Sequence, residues 1–218
     1  GPFLEQEGVP VGIVEAITGY RQYLVTLEGA ANHAGTTPMD MRRDPMAGAA
    51  EIISGVIDTA HRMGRPAVTT VGRINVAPNE RAVILRQVAF TVDARSPLAA
   101  QRDTLLARHE ALIEEVATRR DLRLTIRVDS DREPVQCDPE LVAAIAAAAD
   151  GAKIPAMTMT SGAVHDAMQM AEIARIAMIF VRSRGGISHS PDEFTTAEDA
   201  AAGTEVLARA LHGLAYRA

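Results

Sequence analysis

The chain has no tryptophan, three tyrosines and four phenylalanines, so aromatics make up only 3% of its 218 residues. A sheet that reads single-stranded RNA stacks bases on aromatic side chains, and this composition offers little to stack on. Basic tracts are missing too: 22 Lys and Arg stand against 28 Asp and Glu, a net charge of −6. Binding to a phosphate backbone needs clustered positive charge, so nucleic acid is excluded as a partner. The lone Cys137 can close no internal disulfide, and no cysteine pair has zinc-site spacing. A reducing compartment, the cytoplasm, is therefore the expected location. No apolar run approaches the roughly 18 residues of a spanning helix, and the charged-then-apolar start of a secretory signal is absent, so no membrane partner is expected. The chain also lacks an initiator Met and opens Gly1-Pro2, which suits a cleaved tag or an internal start.

What is present is an ordinary globular balance, 47% hydrophobic and 23% charged, on a length that holds one large domain or two small ones. Residues 11–18 (Val-Gly-Ile-Val-Glu-Ala-Ile-Thr) and 21–28, with Tyr23, Val25 and Leu27 on one face, read as strands. Asp44-Pro45 is an N-cap and first helical residue, and Ala49, Ile52, Ile53, Val56, Ile57 and Ala60 recur at helical spacing up to Gly64. Strands are predicted over 68–76 and 83–95. Ser96-Pro97 is read as the cap of a second helix with a Leu105, Leu106, Leu112, Ile113, Val116 stripe, in which His109 lies as a packed or edge residue. A strand with one wet face follows over 122–128.

The order from Tyr20 is β-α-β-β-α-β, the ferredoxin-like arrangement. The flanks add a strand before it and, after it, a helix from Asp138 to about Asp150, a loop region to Ala171, a buried strand over 176–181 and a helix from Thr196 to about Tyr216. One or two strands and two helices cannot close a covered sheet. The fold class is thus α+β: a ferredoxin-like unit at 20–133, inserted into an incomplete α/β domain made of 1–19 and 134–218.

Three loops carry the polar groups. The first is Asn32 to Asp44 (Asn-His-Ala-Gly-Thr-Thr-Pro-Met-Asp-Met-Arg-Arg-Asp), the second Thr158 to Asp166, the third Gly185 to Glu193 with His189. The third follows a strand, where ligands of helix-flanked sheets sit beyond carboxyl ends. Ser161 lacks the Gly-x-Ser-x-Gly elbow of a serine nucleophile. His189 can supply one metal ligand, but no His-Glu-x-x-His spacing supplies others. Gly185-Gly186 is followed by neither the Lys nor the helix of a phosphate cradle.

Four motifs in order give these loops a context: Asn32-His33-Ala34-Gly35-Thr36-Thr37-Pro38-Met39, Asp93-Ala94-Arg95, Ser161-Gly162-Ala163-Val164-His165-Asp166-Ala167 and Ile187-Ser188-His189-Ser190-Pro191, preceded by Gly1-Pro2 and Leu4-Glu5. With them the whole chain resembles the metal-dependent amidohydrolases of the M20 peptidase group, in the branch of N-carbamoyl-L-amino-acid hydrolases, β-ureidopropionases and allantoate amidohydrolases. The resemblance implies a metallohydrolase catalytic domain with two divalent ions, zinc or manganese, interrupted by a lid that dimerises. It implies that His189 is a metal ligand and that His33 polarises the scissile carbonyl in the partner subunit's site. Arg95 would grip the carboxylate of a small-molecule substrate, with Asn79, His165 and Asp166 lining the pocket. A planar guanidinium suits a carboxylate.

Two departures qualify this. Ala82-Val83-Ile84-Leu85-Arg86 replaces the Asn-Val-x-Pro-Gly expected after Pro78-Asn79, and Val164 replaces a glycine. The other metal ligands of the group belong upstream of Gly1, so the isolated chain is expected to bind metal incompletely and hydrolyse nothing. The alternative is a non-catalytic dimerisation or ligand-binding module from a degenerate paralogue.

Overall fold

The structure is a computed structural model that describes residues 2–216. Gly1, which opens the Gly1-Pro2 motif, lies outside the described residues. Two compact units divide the chain, one made of residues up to Ile17 together with Val135 onward, the other of Thr18–Pro134. No helix among the described residues is long and apolar enough to cross a membrane.

A short helix α1 (Phe3–Gln6) and strand β1 (Val11–Ile17) open the first unit. The second unit begins with β2 (Gly19–Glu28) and a two-residue strand β3 (Asn32–His33). Helix α2 (Pro45–Met63) follows, where the Asp44 carboxylate accepts from the Met46 and Ala47 N–H groups and Gly64, at φ +72°, ends it. The strand predicted over 68–76 is broken into β4 (Val68–Thr70) and β5 (Ile74–Ala77), both paired to a later strand. The strand predicted over 83–95 is likewise two: β6 (Val83–Ile84), which pairs with β3, and β7 (Gln87–Ser96).

Helix α3 (Ala99–Arg119) starts later than Ser96-Pro97 implied. Leu98 is its N-cap and makes no side-chain cap. Ser96 Oγ instead accepts from the Leu98 N–H, a local turn that uses up the hydroxyl before the helix begins. Strand β8 (Arg123–Arg132) completes the unit.

The four-strand path β4-β7-β2-β8 puts the unit's long first and third strands in the middle, the all-antiparallel ferredoxin-like order. Tyr23, Val25 and Leu27 of β2 and Val88, Phe90, Val92 and Ala94 of β7 point to one face, where Ile52 and Val56 of α2 and Leu105, Ile113 and Val116 of α3 cover them. Period-two alternation on the strands and period-3.6 stripes on the helices meet in one core. His109, fully buried in the α3 stripe and so packed rather than at its edge, donates from Nε2 to the Val56 carbonyl (3.1 Å) and sits 3.0 Å from the Tyr23 hydroxyl.

The first unit resumes with β9 (Val135–Gln136) and α4 (Pro139–Ala152), capped by Asp138. The expected loop to Ala171 contains a strand, β10 (Ala156–Ser161), and a turn of helix α5 (Ala167–Met170). Next come β11 (Met178–Val181), shorter than predicted and half-buried, and α6 (Ala197–Ala215). The sheet runs β10-β1-β11, with β9 also on β1. Among its described residues the unit therefore holds four strands, more than the one or two expected. Ile145, Ala149, Val206 and Ala210 of α4 and α6 pack on Val11 and Ile13, while Met168 of α5, Cys137 and Ile176 join Val14 and Ile17.

Candidate functional site

In the second unit the stretch from Ala30 to Arg43 is an arm closed at its base. The Ala30 N–H donates to Arg43 O (3.0 Å) and the Gly29 N–H to Arg86 O (2.9 Å). Gly29 is required there, because a Cβ would stand 2.0 Å from Arg43 O. Pairing of β3 with β6 and an Ala34 N–H bond to Ala82 O carry the chain outward to His33. Ala82 thus serves the arm through its carbonyl, whatever its side chain.

His33 is exposed, and its Nδ1 lies 3.0 Å from the Gly35 N–H. Its carbonyl accepts from both N and Oγ1 of Thr37, so Thr37 shapes the turn. Arg42 donates from Nε to Thr37 O and from Nη2 to Ala34 O. Arg43 reaches away, to the carbonyl and carboxylate of Asp121.

Arg95 sits two residues from Asp93 on β7, and the pair is bidentate: Nε to Oδ1 at 2.7 Å and Nη2 to Oδ2 at 2.8 Å. Gln22 Nε2 also donates to Asp93, at 2.7 Å, and the guanidinium lies over the Tyr20 ring, 5.7 Å from its centroid. Burial pushes the Asp93 carboxyl upward, but the bonds from Arg95 and Gln22 outweigh it and hold the group below the usual carboxylate range. Arg95 is pushed up, mainly by its bond to Asp93. Asn79 is exposed in the turn after β5.

In the first unit, His165 and Asp166 leave the carboxyl end of β10. His165 Nε2 is 2.8 Å from the buried Ser161 hydroxyl, and its ring packs 5.6 Å from that of Phe180. Asp166 is exposed at the start of α5, and Val164 turns a half-exposed side chain to the surface. His189 is exposed and left-handed (φ 57°), a conformation unusual for a non-glycine residue. Its backbone N–H, not its ring, donates to Glu193 Oε2 (3.0 Å).

The His189 loop lies beyond the carboxyl end of its strand, but that strand runs against β1. Strand β11 is antiparallel to β1, with Val181 opposite Val11, whereas β10 is parallel, with Ser161 opposite Ile17. The His189 loop therefore leaves the sheet where β1 begins, and the loop of His165 leaves where β1 ends. Each anchors separately: the third loop through the Gly185 N–H on Glu5 and the Arg184 N–H on Phe194 O.

Among the described residues no three His, Cys, Asp or Glu side chains form a group able to hold a metal. Among the described residues His189 is thus a single donor outside any group of three, and those residues alone do not fit a complete metal centre. Sequence reasoning passed over Asp93, Ser161 and Arg42 as partners of Arg95, His165 and the His33 arm. Only Asp93 left a signal, the two-residue spacing that puts it on the same strand face as Arg95.

Comparison with known proteins bears on these residues together. The profile of peptidase family M20/M25/M40 matches residues 1–213. An N-carbamoyl-L-amino acid amidohydrolase of Geobacillus stearothermophilus is 43% identical over 95% of the chain and 50% of its own length. The allantoate amidohydrolase of Escherichia coli K12 is 38% identical over 100% of the chain and 53% of its own. The crystal structure of a hydantoinase/carbamoylase family amidase from Burkholderia multivorans superposes with a TM-score of 0.90 at 36% identity, over 97% of this chain and 51% of that one. The chain spans about half the length of these relatives.

Proposed function

The chain belongs to peptidase family M20/M25/M40, and on that footing we propose that it supplies the lid and C-terminal catalytic portion of a hydrolase of linear amide or ureido C–N bonds. The proposed substrates are N-carbamoyl-L-amino acids or allantoate-like ureido acids. The observation that supports this most is the 43% identity, over nearly the whole chain, to a protein named for hydrolysing the first of these.

The chain's own groups have separable roles in this reading. Arg95 binds the substrate carboxylate, with Asp93 and Tyr20 fixing its plane; Asn79, beyond the opposite end of β7, is a separate substrate contact. His33 donates a hydrogen bond to the scissile carbonyl oxygen in a partner protomer, where it stabilises the charge that grows there. His165 and Asp166 line the substrate pocket, and His189 is one ligand of a pair of divalent ions, zinc or manganese. Those ions, when bound, supply activated water; their remaining ligands are not among the described residues. The proposed assembly is a homodimer through the Thr18–Pro134 unit, in the cytoplasm.

The test is an assay of the full-length protein, loaded with zinc or manganese, against N-carbamoyl-L-amino acids, allantoate and dipeptides. Turnover of a ureido acid in preference to dipeptides is expected. Dipeptide cleavage alone would overturn the substrate class, and no turnover by a metal-loaded protein would favour the non-catalytic binding module. The 218-residue chain by itself is expected to be inactive.

A further inference from the structure

We infer that His33 is held as its Nε2–H tautomer by the Gly35 peptide, and that Arg42 is the positioning residue that keeps that peptide in place. A backbone N–H can only donate. With the Gly35 nitrogen 3.0 Å from Nδ1, that ring nitrogen must be the acceptor, and a neutral imidazole then carries its proton on Nε2. His33 therefore presents a donor, not a base, at the tip of the arm.

The bond depends on the turn around it. Thr37 closes the turn onto His33 O from two directions, which leaves the carbonyls of Ala34 and Thr37 to be satisfied. Arg42 takes both with one planar fork, Nη2 on Ala34 O and Nε on Thr37 O. A lysine has a compact ammonium and cannot span two carbonyls in this fixed geometry. The intervening 3₁₀ turn, Met39–Met41, returns the chain so that Arg42 faces a loop begun eight residues earlier. Gly35 contributes a second constraint, since a Cβ there would stand 3.2 Å from His33 Cε1. The residue that donates to the ring is thus also one that cannot grow a side chain without moving it.

The consequence for turnover rests on the proposed role of His33 at the scissile carbonyl; the tautomer and its dependence on Arg42 do not. The experiment separates them. Full-length protein labelled with 15N-histidine is examined by two-bond 1H–15N correlation at mildly alkaline pH, with His33 assigned by its loss in His33→Gln. Wild-type His33 should show an unprotonated Nδ1 and a protonated Nε2. Arg42→Gln and Gly35→Ala should move it toward a mixture of tautomers, while Arg43→Ala, whose partner is Asp121, should leave it unchanged. In kinetics, Arg42→Gln should lower kcat on the order of 10²-fold with KM little changed, as a misplacement of about 1 Å can do. Added guanidinium ion should restore part of the loss in Arg42→Ala. A proton on Nδ1 in the wild type, or an unchanged His33 spectrum in a folded Arg42→Gln protein, overturns the inference. If Arg42→Gln does not fold, Arg42→Lys, which keeps stem and charge, decides by the same spectrum. A changed spectrum with unchanged kcat supports the inference and removes His33 from the proposed mechanism.

Discussion

Acidification should loosen the ferredoxin-like unit through one buried side chain, His109. Its Nε2 faces the Val56 carbonyl, which can only accept, so the ring proton is on Nε2 and Nδ1 must accept the Tyr23 O–H. Charging the ring puts a second proton on Nδ1, directly opposite a hydroxyl that was donating to it. Burial lowers the His109 pKa from 6.5 to about 4, only partly opposed by the bond to Val56. In the unfolded chain the group regains its ordinary value. Between about pH 6.5 and pH 4 the unfolded state therefore binds the extra proton, and stability falls as pH falls.

The gap amounts to about 3 kcal/mol at about 1.4 kcal/mol per pH unit, fully present above about pH 6.5 and spent by pH 4. Urea unfolding across this range measures it, with the Tyr23→Phe/His109→Leu double variant as the reference. Removing both side chains leaves only the Val56 carbonyl without its His109 bond, and as a carbonyl inside α2 it keeps its place in the helix, so the double variant should fold. Its stability should fall with acidification by up to about 1.4 kcal/mol per pH unit less steeply than that of the wild type. Equal slopes would refute the reasoning, and would mean that His109 is solvated or already charged in the fold.

Three further outcomes follow from packing and charge. Gly29→Ala drives a methyl into the Arg43 carbonyl, a backbone atom that cannot rotate away, and should cost at least about 1–3 kcal/mol, seen as a lowered Tm. Asp199→Ala removes the buried carboxylate that binds Arg182 through two bonds and accepts from Thr196 Oγ1. With Arg182 partly exposed the expected loss is about 1–3 kcal/mol, read by denaturant unfolding. Asp93→Asn should raise KM for a carboxylate substrate by freeing the Arg95 plane. In the wild type the Asp93–Arg95 pair should be fully present above about pH 4 and be lost only as pH falls through the lower folded-state value, because the Asp93 carboxyl is depressed. The pH dependence of KM checks this.

Elements with strong local chemistry were legible in the sequence. Asp44-Pro45 and Gly64 bracket α2 because a carboxylate cap and a left-handed glycine act through neighbouring residues alone. Alternation in β2 and β7 is equally local. Strand β10 was missed because Ala-Met-Thr-Met-Thr-Ser has no β-branched apolar run; pairing with β1, more than a hundred residues away, makes it a strand. The direction of β11 is not written in its residues, so the sequence places the His189 loop beyond a strand's carboxyl end without showing that this is where β1 begins. In the candidate site, the Asp93–Arg95 pair follows from strand spacing. The Gly35 bond to His33 and the Ser161 bond to His165 depend on loop backbone paths that no periodicity encodes.

The point at which the first unit is interrupted has a consequence for engineering. Ile17, the last residue of β1, pairs directly and antiparallel with Val135, the first of β9. Two ends lying side by side at ordinary strand spacing, about 5 Å, are where a tight reverse turn fits. The intervening module could therefore be cut out and replaced by a two-residue Asn-Gly link, or exchanged for another module with adjacent termini, without stretching the sheet that receives it. It also sets an order on the ribosome, since Thr18–Pro134 is complete long before β10 and β11 emerge to give β1 its neighbours.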